Sequence, residues 1–70
     1  MISYKPLWVT MVDRNLKKKD LIEMADISSA TVAKMGKNEY IALEVIDKIC
    51  TALGCEISDV VAHVKDAATE

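Results

Sequence analysis

The chain has 70 residues, 51% of them apolar, with two glycines and one proline. So small a chain buries only a modest core, so one compact unit is expected, one that leans on a partner chain; strands, long loops and low-complexity segments are not expected. No apolar run reaches the roughly 18 residues of a membrane span, the opening MISYKPLWV has no cleavable leader pattern, and the formal net charge of −2 argues against a bulk polyanion binder; no membrane partner and a reducing, cytoplasmic setting are expected.

In chain order, Pro6 suits the first turn of a helix, where its missing N–H would have had no partner. Trp8, Met11 and Val12 give that helix an inward stripe, and Asn15 ends it. Residues 18 to 35, KKDLIEMADISSATVAKM, then read as two helices joined by a tight turn. Leu21, Met24 and Ala25 recur at three- and four-residue spacing on one face, Ile27 lies in the turn, and Val32 and Met35 repeat the spacing on the next helix. Asp26 is the corner, since Asp and Asn tolerate a left-handed backbone better than other residues with a side chain. Ser28 is placed to cap the following helix through its hydroxyl oxygen. The spacing predicts helices over 18 to 25 and 29 to 35. Two short helices sharing one apolar seam in this way form the unit that pushes a helix N-terminus into the DNA major groove.

Further on, Leu43, Ile46, Ile49, Cys50 and Leu53 form the cleanest amphipathic pattern in the chain, and Gly54 stops it. A fifth short helix is expected from Ser58, with Asp59 favourable at its positive end and Val60, Val61 and Val64 turned inward. Residues 65 to 70 are polar and expected to fray. The reading is all-α: five helices, no linker and no internal repeat, with Trp8, Leu21, Val32, Ile46, Ile49 and Leu53 in one core.

Catalytic and metal chemistry find little support. Cys50 and Cys55 are the two cysteines and His63 the one histidine, too few soft ligands for a zinc site, so packed, reduced thiols are expected. No Ser-His-Asp arrangement, glycine-rich phosphate loop or paired acid and base stands out. No enzyme activity, cofactor, metal or small-molecule ligand is expected.

Charge is polarised along the chain. Between positions 14 and 38 the basic residues are Arg14, Lys17, Lys18, Lys19, Lys34 and Lys37, against Asp20, Glu23 and Asp26; from Glu39 onward seven acids face Lys48 and Lys65. The positive part coincides with the two-helix unit, where phosphate contacts would be required. Solvation alone could accommodate the three consecutive lysines. Positive charge at a helix N-terminus is locally unfavourable, however, and a nearby phosphate would relieve it.

Residues 16 to 61 resemble the Cro-type helix-turn-helix domain, shared by the lambdoid phage repressors and many small bacterial regulators. The matching stretches are LKKKDLIEMADISSATVAKM and LEVIDKICTALGCEISDVV. The string AKMGKN is similar to that of small solo regulators with no attached effector domain. The resemblance implies a five-helix, lambda-repressor-like domain over residues 1–70 and a sequence-specific transcriptional regulator with double-stranded DNA as its partner.

Carried over by position, the resemblance assigns Ser29, Ala30 and Lys34 to base edges, with Thr31 a further candidate. Lys34 can donate to guanine O6 and N7, Ser29 can pair with several bases, and Ala30 can pack on a thymine methyl. Lys18, with Lys19 beside it, falls where the start of the second helix meets phosphate. Ser28, Lys37 and Asn38 suit backbone contacts that set register. Ordinary helix-surface roles for Ser29, Ala30 and Thr31 are the plain alternative.

The chain departs from the family pattern at Lys17, where Ser or Thr often caps the helix, and at Ile22, where Ala is usual. It departs again at Asp26, where Gly is common, and at Gly36, which is expected to end the recognition helix early. A homodimer through Ile57, Val61 and Val64 is favoured over burial of those residues within one chain. The alternative reading is a protein-interaction module, such as an antitoxin or a phage-derived accessory protein, which predicts tight partner binding and little salt-sensitive DNA affinity.

Overall fold

The computed structural model describes residues 1–65. Four α-helices follow a two-residue strand: β1 (Ile2–Ser3), α1 (Lys5–Asp13), α2 (Lys18–Ala25), α3 (Ser29–Gly36) and α4 (Leu43–Leu53). A single 3-10 turn (Ile57–Asp59) and a second strand, β2 (Ala62–His63), complete the order. The frayed end expected over 65 to 70 lies, from residue 66 onward, outside the described residues.

The four helices stop by one device. In each, a residue with left-handed backbone follows the last turn, and the next N–H reaches back to a carbonyl five residues earlier. The left-handed residues are Asn15 (φ 56°), Asp26 (φ 55°), Asn38 (φ 57°) and Gly54 (φ 61°). The returning bonds run from Leu16 N–H to the Met11 carbonyl (2.8 Å), Ile27 to Ile22 (3.2 Å), Glu39 to Lys34 (3.0 Å) and Cys55 to Cys50 (3.0 Å). Three of the four positions carry Asn or Asp, whose short polar side chains tolerate this conformation. Asn15, Asp26 and Gly54 thus act where the sequence placed them. Helix α3 ends at Gly36, as expected, and the left-handed residue comes two positions later at Asn38.

The starts differ from helix to helix. Pro6 occupies the first turn of α1. At α2 the Asp20 carboxylate accepts from the Lys17 N–H at 2.9 Å, which supplies from inside the helix the contact that Lys17 cannot make as a cap. At α3 the Ser28 hydroxyl accepts from the Thr31 N–H at 3.1 Å, the cap expected of it.

The core contains Tyr4, Leu7, Met11, Leu21, Ala25, Val32, Met35, Ile46, Ile49, Leu53 and Val60. Trp8 packs against this cluster, partly buried. Helix α2 lies against both α3 and α4, so the seam through Leu21, Ala25, Val32 and Met35 fixes the two-helix unit. Three expected inward residues are mostly outside: Val12 is 77% exposed, Leu43 74% and Met24 48%. Val12 is displaced by Leu7, which shares with Met11 the face of α1 that meets the core. Leu43 opens α4 and projects past the core edge, and Met24 lies beside the buried line of Leu21 and Ala25.

The expected fifth helix is a correction. Its capping chemistry is real, because Asp59 accepts from the Glu56 N–H at 3.1 Å, but it serves one 3-10 turn. The chain then extends, and β2 pairs antiparallel with β1 in the register Ile2 to His63 and Ser3 to Ala62. The Val64 N–H continues the ladder to the Met1 carbonyl at 2.7 Å. The alternating run Val60, Ala62, Val64 suits a strand once a partner exists, and the partner lies some sixty residues away. Val60 is fully buried, Val61 is half-buried, and Val64 remains 42% exposed.

Candidate nucleic-acid interface

Helix α3 divides cleanly around its axis. Val32 and Met35 are buried, whereas Ser29, Ala30, Ala33 and Lys34, with Lys37 at the cap, are exposed. At 100° per residue these five fall within an arc of about 140°, with the exposed Gly36 about 20° beyond its Ser29 edge. Ser29, Ala30 and Lys34, expected at base edges, therefore share one face. Ala33 lies near the middle of that face and was not singled out from the sequence. Its three- and four-residue offsets from Ala30 and Ser29 were the available signal. Thr31 falls outside the arc, half-buried, with its hydroxyl 3.0 Å from that of Ser28.

The face is small in side-chain bulk at its start and cationic toward its end. Three consecutive outward positions, Ser29, Ala30 and Ala33, extend no more than one heavy atom beyond Cβ, so a flat surface can approach the helix backbone closely. Lys34 and Lys37 follow, both exposed. From Ser29 to Gly36 the helix is about 12 Å long.

Lys18 is brought to the far end of this helix. Its ammonium stands 5.5 Å from the centroid of the Trp8 ring, within range of a cation–π attraction. The two side chains help wall a cleft of about 370 Å³, together with Met11, Val12, Leu16 and Gly36. Because Gly36 belongs to α3, the start of α2 and the end of α3 border one depression. Lys19 is exposed on the next position of α2. Trp8 was read from the sequence as a core residue, and its second role as a seat for Lys18 depends on how α1 crosses α2.

Asn38 is held in place by the N-terminal segment. Its side-chain oxygen accepts from the Tyr4 N–H at 3.2 Å, and the Tyr4 hydroxyl donates to the Glu39 carbonyl at 2.7 Å. Tyr4 is buried, and burial pushes its phenol above the ordinary value. The loop leaving α3 is therefore anchored to the start of α1. At the opposite corner, the Arg14 guanidinium donates to the Leu53 carbonyl and closes the end of α4.

A profile of the Cro/C1-type helix-turn-helix DNA-binding domain matches residues 6–66. The chain belongs to that family. Among solved structures it is similar to the transcriptional regulator VanUg, seen in a second crystal form, with a TM-score of 0.87 and 38% sequence identity over 93% of this chain and 87% of that one. No curated protein sequence matches it. The all-α helix-turn-helix architecture expected from the residues is therefore shared with a regulator, with the fifth helix replaced by the turn and strand described above. Among the described residues, no helix is long and apolar enough to cross a membrane.

Proposed function

We propose that this protein is a sequence-specific, DNA-binding transcriptional regulator that sets α3 into the major groove. The observation that carries the reading is the exposed arc of Ser29, Ala30, Ala33, Lys34 and Lys37, opposite the buried Val32 and Met35. A helix whose outward residues are small allows close approach to base edges, and Lys34 offers donors to guanine. Thr31 borders the arc and acts through Ser28 at the helix start. Lys18 and Lys19 at the start of α2, Ser28, Lys37 and Asn38 hold phosphates on either side of that face. Asn38 does so through its NH₂, since its oxygen is bonded to Tyr4. Family membership and the likeness to VanUg support the same reading.

One recognition helix reads only a few base pairs, too few to find a site among genomic competitors. The regulator therefore works as a two-fold dimer with recognition helices about 34 Å apart. The contact is assigned to Ile57, 53% exposed, Val64, 42% exposed, and the half-buried Val61. Beside them, Val9, Thr10, Ser58, Asp59 and Ala62 line an open groove of about 470 Å³ between α1 and the C-terminal strand. The whole chain acts as one DNA-binding unit in the cytoplasm, with DNA and a second copy as its partners and no enzyme activity.

Selection of bound sequences from a random DNA pool tests the proposal. A recovered motif with two-fold symmetry supports both parts. Recovery of no motif, together with DNA affinity insensitive to salt, overturns the reading in favour of a protein-interaction module. Sedimentation at micromolar concentration, with and without the selected site, decides the dimer: a monomer in both states overturns it.

A further inference from the structure

Cys50 and Cys55 stand at the two closing positions of the α4 stop. The Cys55 N–H bonds to the Cys50 carbonyl at 3.0 Å, and the Gly54 N–H to the Thr51 carbonyl at 3.3 Å. This pair of bonds is the helix-ending motif in which the side chains four residues before and one residue after the left-handed stop meet. Here both are cysteines, free and half-buried. With ordinary bond lengths, a 3.0 Å N–H to carbonyl bond bounds the two Cα atoms at about 7 Å, reached only if every atom were in line. Disulfides span Cα separations up to about that limit. Gly54, at φ 61°, holds the turn in the conformation that brings the thiols together.

We propose that Cys50 and Cys55 are a redox-active pair that closes to an intramolecular disulfide when the folded protein meets an oxidised low-molecular-weight disulfide such as oxidised glutathione. Burial, followed by the neighbouring Cys55, pushes the Cys50 thiol up, so exchange begins at Cys55. Its thiolate attacks one sulfur of the oxidant and expels a thiolate, leaving a mixed disulfide on Cys55. Cys50 then gives up its proton and attacks the Cys55 sulfur, and the second small thiolate leaves. Two protein thiols are oxidised by two electrons, and one small disulfide becomes two thiols. The bond staples the end of α4 to the segment that leads into the 3-10 turn, whose Asp59 carbonyl accepts from the Thr10 hydroxyl of α1 at 3.0 Å.

Incubation of the intact, folded protein with oxidised glutathione, read by mass spectrometry and alkylation, tests the proposal. The expected product is a single chain lighter by two hydrogens, with loss of both free thiols and full recovery on reduction. Cys50→Ser is expected to stop at a glutathione adduct on Cys55. A stable glutathione adduct on the unaltered chain, a covalent pair of chains, or two thiols that stay free overturns it. The same oxidation in concentrated urea controls for geometry. Closure is expected to be favoured more strongly in the folded chain, and equal or weaker closure there would show that the turn does not bring the thiols together.

Discussion

The Lys18 ammonium rests 5.5 Å from the centre of the Trp8 ring, so the one tryptophan of the chain neighbours the cation proposed for phosphate contact. Positive charge is disfavoured at the start of α2 by the helix dipole. The ring face offsets that by about 0.5–1 kcal/mol and seats the ammonium beside it. Lys18→Ala is expected to weaken all DNA sequences alike and to flatten the dependence of log affinity on log salt by about one. Titrations at several salt concentrations measure it, and an unchanged slope would remove Lys18 from the phosphate set.

Across the exposed arc of α3, two substitutions separate base reading from close approach. Lys34→Ala is expected to change the preferred base in a selected motif while leaving the fold intact. Ala33→Leu places a bulky side chain in the middle of the small face. Because Ala33 is exposed, its stability is expected to stay within about 0.5 kcal/mol while DNA affinity falls sharply. Thermal melts paired with binding isotherms distinguish the two effects; full affinity in Ala33→Leu would place the contact on another surface.

Helix α4 offers a contrast in burial between residues three positions apart. Ile46 is 4% exposed and Leu43 is 74% exposed. Ile46→Ala is expected to cost about 2–5 kcal/mol, whereas Leu43→Ala should change stability by no more than about 0.5 kcal/mol. Urea denaturation measures both. Comparable costs at the two positions would mean that α4 is rotated from the orientation described.

Alkaline pH should weaken the fold through Tyr4 and Cys50. Burial raises both groups above their ordinary values, so the folded state favours their protonated, neutral forms. Below the unfolded values of 9.0 for Cys50 and 10.0 for Tyr4 the stabilisation is fully present. As pH rises past them the unfolded chain releases protons first, and stability falls. Tyr4→Phe is expected to cost about 1 kcal/mol at neutral pH through the lost bond to the Glu39 carbonyl and to flatten the fall above pH 10. Denaturation midpoints across that range give the comparison.

Local chemistry was legible in the sequence wherever one or two residues decide the outcome. Asp26 at the corner, Ser28 at the cap and Gly54 at the stop could be placed because each acts on backbone groups within a few positions of itself. Asn38 was expected at phosphate only through the resemblance, and its role as the left-handed residue after α3 stayed hidden behind the nearby Gly36, a stronger helix-ending signal by composition. What escaped depends on distant partners. Val60 to Val64 carry an apolar run too short for periodicity to separate helix from strand, and only β1 settles it. Val12 and Leu43 fit the spacing of their helices but point past the core, because spacing gives a face and not the extent of the surface opposite. The pairing of Trp8 with Lys18 arises from the crossing of two helices, which no local pattern encodes.

The two-stranded sheet joins the extremes of the described chain, with Ile2 beside His63. The helix stops, by contrast, close over five residues each. Closing a long loop costs more chain entropy than closing a short one, and here the whole helical body lies inside the loop. The docked helices, by holding the two ends close, offset that entropy for the strands. They give little enthalpy of their own, since each contributes a pair of residues. The sheet is in this sense a clasp, expected to exchange its amide hydrogens before the helical core does.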